Sequence, residues 1–426
     1  MDKTPIHPKV LQGNPNGSYV VDRLLGSKVV RSLGSKVVRI LKGLHLLVAT
    51  PFGMVCSVGA KVKPRKIMFM TYSNTYMCNP KYICEELLKR NAGCEVVWAV
   101  GTQTDRSAFP DGIKLVPKYS AEFFRDLASS KVWVDNALCF MWVWFPKKEE
   151  QIWFNTWHGS MGLKRIGQND VRSRRWRRVA KRTGRLTDYC ISNSAFEDEV
   201  FKTTHWPKTA ILPYGHARND PLVSSSPALV AAIKEKVSNH YGFDRKAKIV
   251  LYAPTFREGG TTKGYDIDYE RLLQNLAAHF GGKWQVLVRY HFHDRGSYGV
   301  QGSIGGKSGV VNATDYPDMQ ELLLAADVGI TDYSSWICDY VLTSKPGFLY
   351  AYDLAEYSSG RGLYYPLEIT PFPLSTDNDG LMRAIELFDQ GKYEEDCKNF
   401  LVERGSYEEG NAAKRIVDDI LRICDA

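Results

Sequence analysis

The chain lacks the cysteine patterns of a zinc site or a disulfide framework. Its nine cysteines are scattered along 426 residues, and no two of them form a C-x-x-C pair. Structural zinc sites need closely spaced thiols, and small secreted domains rely on dense disulfides. The sequence therefore predicts reduced core thiols in a cytosolic protein, with no metal site built on them.

Two common nucleotide-binding patterns are also missing. No stretch matches G-x-x-x-x-G-K-[ST], and no G-x-G-x-x-G follows the first predicted strand. The first pattern cradles phosphates in P-loop enzymes, and the second binds pyrophosphate in dinucleotide-dependent oxidoreductases. Their absence counts against both classes of enzyme.

The composition is that of an ordinary globular protein, with 44% hydrophobic and 24% charged residues. It argues against disordered and fibrous classes, and the length predicts two or three domains. The formal net charge of +9 is concentrated in residues 1–66, which carry twelve Lys or Arg and only two Asp. Such regional basicity points to an anionic partner surface.

The N-terminal 1–65 is predicted to be a basic amphipathic segment that associates with a membrane. "LGSKVVR" occurs twice, at 25–31 and 33–39, and its cationic residues recur at helical spacing among Val, Ile and Leu. Residues 43–60 contain no Asp, Glu, Lys or Arg, so a membrane span is an alternative, although Pro51 and three glycines argue against it. We expect an interfacial helix on anionic lipid, and a helix packed on the protein itself is the third interpretation.

From Lys66 onward, short apolar runs alternate with amphipathic stretches. "KIMFMTY" and "CEVVWAV" are typical of strands, with the helix "NPKYICEELLKR" between them, and the pattern restarts at "IVLYAPTF". This alternation predicts parallel sheets covered on both faces. We expect an α/β protein with two doubly wound, Rossmann-like domains, 66–225 and 226–395, and a closing helix in 396–426. Two such domains bind ligands in the cleft that they face, where the carboxyl ends of the strands meet.

The stretch "TWHGSMGLKRIG" places His158 at the end of a predicted strand. Gly159 permits a close turn, and Ser160 can cap a following helix. A loop of this kind offers backbone N–H groups to an anion and a neutral imidazole as a base near pH 7. A catalytic loop and a simple capped turn are both compatible with this pattern.

Two further segments carry groups suited to phosphate. Arg218 in "YGHARND" could clamp a phosphate, or it could pair with Asp220 as a structural lock. In "LVRYHFHD", Arg289, His291 and His293 alternate, so on a strand they would share one face, which favours a site. Zinc is a poor fit there, because no thiol or acidic partner lies at helical spacing nearby.

The stretch "ITDYSSWICDY" ends a predicted strand with four hydroxyl or carboxyl side chains before a helix. Hydroxyls and amides at such a point suit a phosphate, and an ordinary helix N-cap explains them equally well. The residues concerned are Thr331, Asp332, Ser334 and Ser335. The "DID" at 266–268 is interpreted as surface and not as a metal-binding pair.

The stretch "VRSRRWRRVAKRTGR" at 171–185 carries eight Lys or Arg. A solvated helix face is the usual explanation for a charge run. The density here, interleaved with Trp176, favours contact with a phosphate polymer, a lipid headgroup or a nucleic acid. The candidate contact residues are Arg172, Arg174, Arg175, Arg177, Arg178, Lys181 and Arg182.

Seven motifs in order resemble the CDP-glycerol glycerophosphotransferase family of teichoic acid and capsule synthesis. They are "TWHGSMGLKRIG", "ISNSAFEDEVF", "YGHARND", "VLYAPTFRE", "LVRYHFHD", "ATDYPDMQELLLAADVGITDYSSWICDY" and "FLYAYDLAEYSSGRGLYY". The resemblance spans about 150 to 370. It implies a GT-B fold, a transferase without metal or other cofactor, and peripheral, monotopic attachment to the cytoplasmic face of a bacterial membrane. It also implies transfer of glycerol phosphate from CDP-glycerol to a hydroxyl of a lipid-linked acceptor, a polyprenyl diphosphate saccharide or a polyol phosphate.

The resemblance assigns roles to individual residues. The family's W-H-G-T-P-L-K loop keeps His158 here but has Ser160 and Met161 in place of Thr and Pro. His158 is expected to act as general base while CMP leaves, and His291 either protonates the leaving phosphate or only binds it. The expected substrate-binding residues are Gly159, Ser160, Arg218, Thr255, Arg289, Thr331, Asp332, Ser334, Ser335 and Asp353, together with His293, an added group of unknown role outside the family's R-x-H.

Three alternatives remain at this point. CDP-ribitol could replace CDP-glycerol as the donor, and a GT-B glycosyltransferase using a nucleotide sugar would share the architecture. A nucleic-acid-binding protein would explain the basic stretches but not the His158, His291 and "TDYSS" set, so no nucleic acid partner is expected. The sequence does not separate a primase from a polymerase.

Overall fold

A computed structural model describes residues 49–138, 145–161, 163–166, 174–255, 267–290, 309–360 and 362–426. Within these ranges the strands form one sheet of seven and one of six. Ten neighbouring strand pairs are parallel. The expected α/β class with two parallel sheets is therefore confirmed.

The seven-stranded sheet has the order β3-β2-β1-β4-β5-β6-β7. Its strands are β1 (Lys63–Met70), β2 (Glu95–Val100), β3 (Ile113–Pro117), β4 (Ser130–Asp135), β5 (Ile152–Asn155), β6 (Tyr189–Ser192) and β7 (Ala210–Pro213). The last five residues of β1 are all buried, as are those of β2. Continuous apolar burial is what a parallel strand covered on both faces requires.

The six-stranded sheet has the order β10-β9-β8-β11-β12-β13. Its strands are β8 (Lys248–Tyr252), β9 (Trp284–Val288), β10 (Val310–Asn312), β11 (Val328–Thr331), β12 (Gly347–Tyr350) and β13 (Leu374–Ser375). From β8 the chain adds strands first on one side and then, from β11, on the other. The order of strands therefore reverses between β8 and β11, and this reversal is the usual ligand-binding point of an open parallel sheet.

Helices follow most strands of both sheets. They are α1 (Cys78–Lys89), α2 (Ala121–Ser129), α3 (Arg174–Leu186), α4 (Ala195–Thr203), α5 (Asp220–Ser224), α6 (Pro227–Tyr241), α7 (Tyr269–Phe280), α8 (Met319–Ala325), α9 (Trp336–Tyr340), α10 (Leu354–Gly360), α11 (Asn378–Glu386), α12 (Gln390–Glu403) and α13 (Ala412–Asp425). Short 3-10 turns occur at Arg106–Ala108, Ala217–Asn219, Val341–Thr343 and Leu367–Ile369. Local sequence explains several helix starts, since the hydroxyls of Ser120, Ser194 and Ser226 accept hydrogen bonds from the amides three residues on.

The chain divides into two compact units. Of the described residues, one unit comprises those up to Tyr76 together with Asn91–Trp153 and Ile420–Ala426, and the other comprises those within Met77–Arg90 and Phe154–Asp419. The first has an aromatic core in which Phe69 and Trp98 stack with ring centroids 5.3 Å apart. The second contains the six-stranded sheet, whose strands are almost wholly buried.

Several predictions of local structure can be compared directly with these elements. The strands expected in "KIMFMTY", "CEVVWAV" and "IVLYAPTF" are confirmed as β1, β2 and β8, and the helix expected in "NPKYICEELLKR" is confirmed as α1. The predicted domain boundary at 225/226 falls between β7 and β8, the last strand of one sheet and the first of the other. None of the eight cysteines in the described ranges forms a disulfide.

Most of the predicted membrane segment, residues 1–48, lies outside the described residues. Residues 49–56 are helical, and the hydroxyl of Ser57 donates to the carbonyl of Gly53 at 2.6 Å. In the described part of the chain, no helix is both long enough and apolar enough to cross a membrane.

Candidate active site

The sequence-predicted residues of the second sheet follow four adjacent parallel strands. Thr255 follows β8, Arg289 follows β9, Asp332 follows β11 and Asp353 follows β12. Because carboxyl ends of neighbouring parallel strands lie at one edge of a sheet, these residues share that edge. Thr255 and Asp332 lie at the reversal between β8 and β11.

Hydrogen bonds join the two loops at the reversal. The backbone N–H of Thr255 donates to Asp332 Oδ1 at 2.8 Å, and the hydroxyl of Thr331 donates to the carbonyl of Ala253 at 2.7 Å. Thr331 and Asp332 are buried, whereas Ser334 and Ser335 are half-buried. The buried pair therefore shapes the edge, and the two serines are the more accessible hydroxyls of the "TDYSS" loop.

Arg289 and Asp353 lie on either side of this reversal. Nη1 of Arg289 donates to the carbonyl of Tyr316 at 2.5 Å, which holds the half-buried guanidinium against the loop after β10. Asp353 Oδ1 accepts a hydrogen bond from the hydroxyl of Tyr333 at 2.8 Å. The ring of Tyr333 stacks on Tyr357 with centroids 3.8 Å apart. Asp353 thus fixes the tyrosine that immediately precedes Ser334.

His158 is the exposed residue of a tight turn after β5. The residue before it, Trp157, has φ +50°, and Met161 has φ +42°. Left-handed backbone at a residue other than glycine costs about 1–3 kcal/mol and persists only where surrounding contacts enforce it. Gly159 is required for space, because a Cβ at this position would lie 2.8 Å from Nε1 of Trp157.

Polar groups from distant segments hold the turn. Nδ2 of Asn79 donates to the carbonyls of Thr156 and Trp157 at 2.8 and 3.2 Å. Nη2 of Arg218 donates to the carbonyl of Gly159 at 2.6 Å. The backbone on both sides of His158 is therefore fixed by buried side chains.

Arg218 is buried and forms an ion pair with Asp339 of α9. Its Nε donates to Asp339 Oδ2 at 3.0 Å and its Nη2 to Oδ1 at 3.2 Å. Burial alone would lower the pKa of Arg218, but the Asp339 carboxylate outweighs it and the pKa is raised. The alternative pairing of Arg218 with Asp220 is wrong, since Asp220 accepts from the first amides of α13 instead. Arg218 and Asp339 lie 121 residues apart in the sequence, so no local pattern connects them.

Two buried carboxyl groups beside the "YGHARND" loop have strongly raised pKa values. Burial raises the pKa of Glu197 to about 8 and that of Glu408 to about 8. Burial also lowers the pKa of His216 well below its ordinary value, and its Nε2 lies 3.1 Å from Glu197 Oε2. Glu408 accepts hydrogen bonds from Asn219 Nδ2 at 2.7 Å and from the His216 amide at 3.1 Å. Near neutral pH the Glu197–His216 pair is therefore largely uncharged.

The segment after the His158 turn reaches the edge of the six-stranded sheet. Nζ of Lys164 donates to the hydroxyl of Thr255 at 3.0 Å. Lys164 also forms an isolated antiparallel bridge with Leu363. Since both segments belong to the second compact unit, this bond links the loop of His158 to the point where the strand order reverses.

Lys164 and Asn79 were not among the predicted site residues. Lys164 belongs to the stretch "TWHGSMGLKRIG", but it stands one position later than the lysine of the family's W-H-G-T-P-L-K loop, because this chain has eight residues from Trp157 to Lys164. Asn79 precedes Pro80 at the start of α1, where an Asn-Pro pair is an ordinary helix-start feature. Nothing in the local pattern connects it with a turn 77 residues later.

Part of the predicted site lies outside the described residues. This applies to His291, His293 and Arg172 and to the side chains of Arg174, Arg175, Arg177 and Arg178. From Arg174 the basic stretch forms helix α3, in which Lys181 is exposed and Arg182 half-buried. Burial lowers the pKa of Arg182. Among described residues, no group of three or more His, Cys, Asp or Glu could hold a metal ion.

Comparisons with known proteins point to one family. The family model for CDP-glycerol:poly(glycerophosphate) glycerophosphotransferase matches residues 54–422. A teichoic acid poly(glycerol phosphate) polymerase of Staphylococcus epidermidis is 30% identical over 84% of this chain and 50% of its own length. A teichoic acid ribitol-phosphate polymerase, TarK, of Staphylococcus aureus is 26% identical over 84% of this chain and 69% of its own. This chain thus spans about half the length of the first relative.

Structural similarity leads to the same group of proteins. A variant of the wall teichoic acid polymerase TagF, solved with CDPG, matches with a TM-score of 0.77 and 27% identity. The match covers 92% of this chain and 99% of that one. It confirms the expected GT-B-like fold class, with two parallel-sheet α/β domains.

Proposed function

The chain belongs to the CDP-glycerol:poly(glycerophosphate) glycerophosphotransferase family, and we propose that it transfers glycerol phosphate from CDP-glycerol to a hydroxyl of a lipid-linked acceptor in teichoic acid or capsule-like polymer synthesis. CMP is the second product. One observation carries the proposal beyond family membership. The turn that presents His158 is bonded through Lys164 to Thr255, at the reversal point of a doubly wound sheet.

The donor is bound at the carboxyl edge of the six-stranded sheet. Its pyrophosphate contacts the accessible hydroxyls of Ser334 and Ser335 and the cationic groups of Arg289 and Lys164. Buried Thr331 and Asp332 shape the loops, and Thr255 orients Lys164. Gly159, His293 and Asp353 complete the proposed substrate-binding set, while buried Ser160 and Arg218 support the His158 loop and do not reach the substrate. Fixed donors and cations of this kind stabilise charge that develops on a transferring phosphoryl group.

His158 acts as the general base. Its imidazole takes the proton from the acceptor hydroxyl as that oxygen forms a bond to the β-phosphorus of the donor. The bond from this phosphorus to the bridging oxygen breaks, and its electron pair leaves with CMP. His291 is proposed to protonate or bind the leaving phosphate. The exposure of His158 supports this role, because a base must reach an incoming acceptor.

Ribitol phosphate is the second candidate for the transferred group. The specific observation that favours it is the 26% identity to a ribitol-phosphate polymerase over 84% of this chain. Glycerol and ribitol differ in the length of the polyol, so the phosphoryl chemistry at His158 would be the same for both donors.

The acceptor lies at the cytoplasmic face of the bacterial membrane, to which the chain attaches peripherally through its basic N-terminal segment, 1–65. The described end of this segment supports lipid contact. Val55 is 71% exposed and Val58 is 83% exposed, with Phe52 and Met54 about half exposed beside them. Exposed apolar side chains next to a cationic stretch are typical of interfacial attachment to anionic lipid. The basic residues of α3 and its N-terminal flank are proposed to contact the same surface or the acceptor.

The test is CMP release and product length with CDP-glycerol and CDP-ribitol and a lipid-linked saccharide acceptor. His158→Ala is expected to lower transfer by about 10²–10⁴-fold, the usual loss for a general base, while the protein stays folded. His279→Ala removes another exposed imidazole, from α7, and should leave the rate unchanged. Near-normal CMP release by His158→Ala with acceptor present would refute the assignment of the base.

A further inference from the structure

We propose that Asn79 is a positioning residue for His158, acting through the backbone of the turn without touching the substrate. The inference rests on the proposed function, because it assigns a purpose to a side chain in terms of the general base. All the groups involved belong to the second compact unit. Asn79 is fully buried, so its carboxamide is committed to these internal contacts.

The first step concerns the approach to His158. Two carbonyl oxygens precede it, those of Thr156 and Trp157, and Nδ2 of Asn79 donates to both. A primary amide has two N–H donors, so one group can hold both peptides. The N–H of Trp157 donates to Asn155 Oδ1 at 3.0 Å. These bonds hold Trp157 in its left-handed conformation, which aims the following peptide and its imidazole.

The second step concerns the exit from the turn. Asn79 Oδ1 accepts a hydrogen bond from the backbone N–H of Arg218 at 3.0 Å. The guanidinium of the same arginine donates to the carbonyl of Gly159, the residue after His158. Asn79 therefore fixes the backbone before His158 directly and the backbone after it through Arg218.

The third step links the turn to the proposed donor side. Arg218 also pairs with Asp339 on α9, the helix that directly follows Ser334 and Ser335. A chain of buried bonds thus runs from the backbone around His158, through Asn79 and Arg218, to this helix. Displacement of a reacting group by about 1 Å can lower the rate by about 10²-fold. Bonds that keep His158 in place should therefore help to maintain the rate of transfer.

The test compares full-length wild type, Asn79→Ala, His158→Ala and the double variant. Transfer from CDP-glycerol gives kcat and the KM for the donor, and hydrogen exchange measures protection of peptides covering 155–161. We expect Asn79→Ala to lower kcat by about 10–10²-fold with little change in donor KM, and to raise exchange in 155–161 selectively. In the His158→Ala background, Asn79→Ala should have no further effect, because no base remains to be positioned.

Two further variants separate positioning from loss of stability. Asn79→Asp keeps the side-chain shape and the acceptor for the Arg218 amide, but a carboxylate oxygen replaces the NH₂ group that donates to the two carbonyls. It should therefore increase hydrogen exchange in 155–161 and reproduce the loss of kcat. If Asn79→Ala does not fold, Asn79→Asp takes its place in the comparison. Ser238→Ala removes a buried hydroxyl of α6 that donates to the Lys234 carbonyl at 2.8 Å, and it should change melting temperature without changing kcat.

Three results would overturn the proposal. They are unchanged exchange in 155–161 on substitution of Asn79, increased exchange with unchanged kcat, and losses from Asn79→Ala and His158→Ala that simply add. A wild type that transfers from neither CDP-glycerol nor CDP-ribitol refutes the proposed function instead. In that case the exchange data alone decide whether Asn79 fixes the turn.

Discussion

The buried ion pair between Arg218 and Asp339 yields a stability prediction that can be worked out from the structure. Both side chains are 4% exposed, and two N–H···O bonds of 3.0 and 3.2 Å join them. The substitution Arg218→Met keeps much of the side-chain length and removes the charge. It leaves the Asp339 carboxylate buried without its cation.

The expected cost follows from this geometry. Breaking a buried pair by removing one partner typically costs about 3–5 kcal/mol. Asp339 retains hydrogen bonds from Asn219 Nδ2 at 2.9 Å and Gln320 Nε2 at 3.3 Å, but the Gly159 carbonyl loses its bond from Nη2 of Arg218. At about 2–4 °C per kcal/mol for a domain of this size class, a loss of about 3–5 kcal/mol should lower the melting temperature of Arg218→Met by roughly 6–20 °C.

Scanning calorimetry of three variants provides the test. Arg218→Met combined with Asp339→Asn should recover part of the loss, because the second change removes the unpaired charge and keeps its shape. Arg271→Met is the matched control, since Arg271 pairs with Asp379 at 2.8 Å but both side chains are exposed. An exposed pair is worth about 0–1 kcal/mol, so this variant should melt close to wild type. A melting temperature for Arg218→Met no lower than that of Arg271→Met would refute the reasoning.

Two more predictions concern the turn and the carboxyls beside the "YGHARND" loop. Gly159→Ala would bring a Cβ within 2.8 Å of Trp157 Nε1, so we expect a folded protein whose kcat falls by about tenfold or more; an unchanged kcat would contradict the tight turn. Glu197 contributes stability as a neutral acid, because burial raises its pKa from 4.5 to about 8. This contribution is complete below pH 4.5 and is lost as pH rises through about 8. Glu197→Gln should therefore flatten the decline of melting temperature across this window, and an unaltered decline would rule out the raised pKa.

The parts of the fold that were predictable from sequence depend on local patterns. The apolar run of β1 and the alternation around α1 identify their elements, because buried parallel strands and amphipathic helices repeat over a few residues. The positions of Thr255, Asp332 and Asp353 at one sheet edge also follow from the sequence, since each ends a predicted strand. Parallel topology then brings these ends together.

The contacts that organise the turn were not predictable in this way. Asn79 meets the turn 77 residues along the chain, and Arg218 meets Asp339 across 121 residues. Sequence spacing suggested Asp220 for Arg218, because a carboxylate two residues away is the simplest partner. Tertiary packing instead assigned Asp220 to the first amides of α13. Polar pairs that are distant in sequence leave no periodic pattern, so they cannot be identified from a single sequence.

The departure of this chain from its family's W-H-G-T-P-L-K loop has a structural meaning at Ser160 and at Met161. At Ser160 the change is conservative, because the hydroxyl accepts a hydrogen bond from Asn193 Nδ2 at 2.8 Å and a threonine hydroxyl could do the same. At Met161 it is not, because the backbone has φ +42°, whereas proline is locked near −65°. Met161 is buried, and its carbonyl accepts a hydrogen bond from Tyr365 Oη at 3.1 Å. Proline at position 161 would not fit this backbone, so the turn around His158 depends on the contacts of this chain and not on the motif alone.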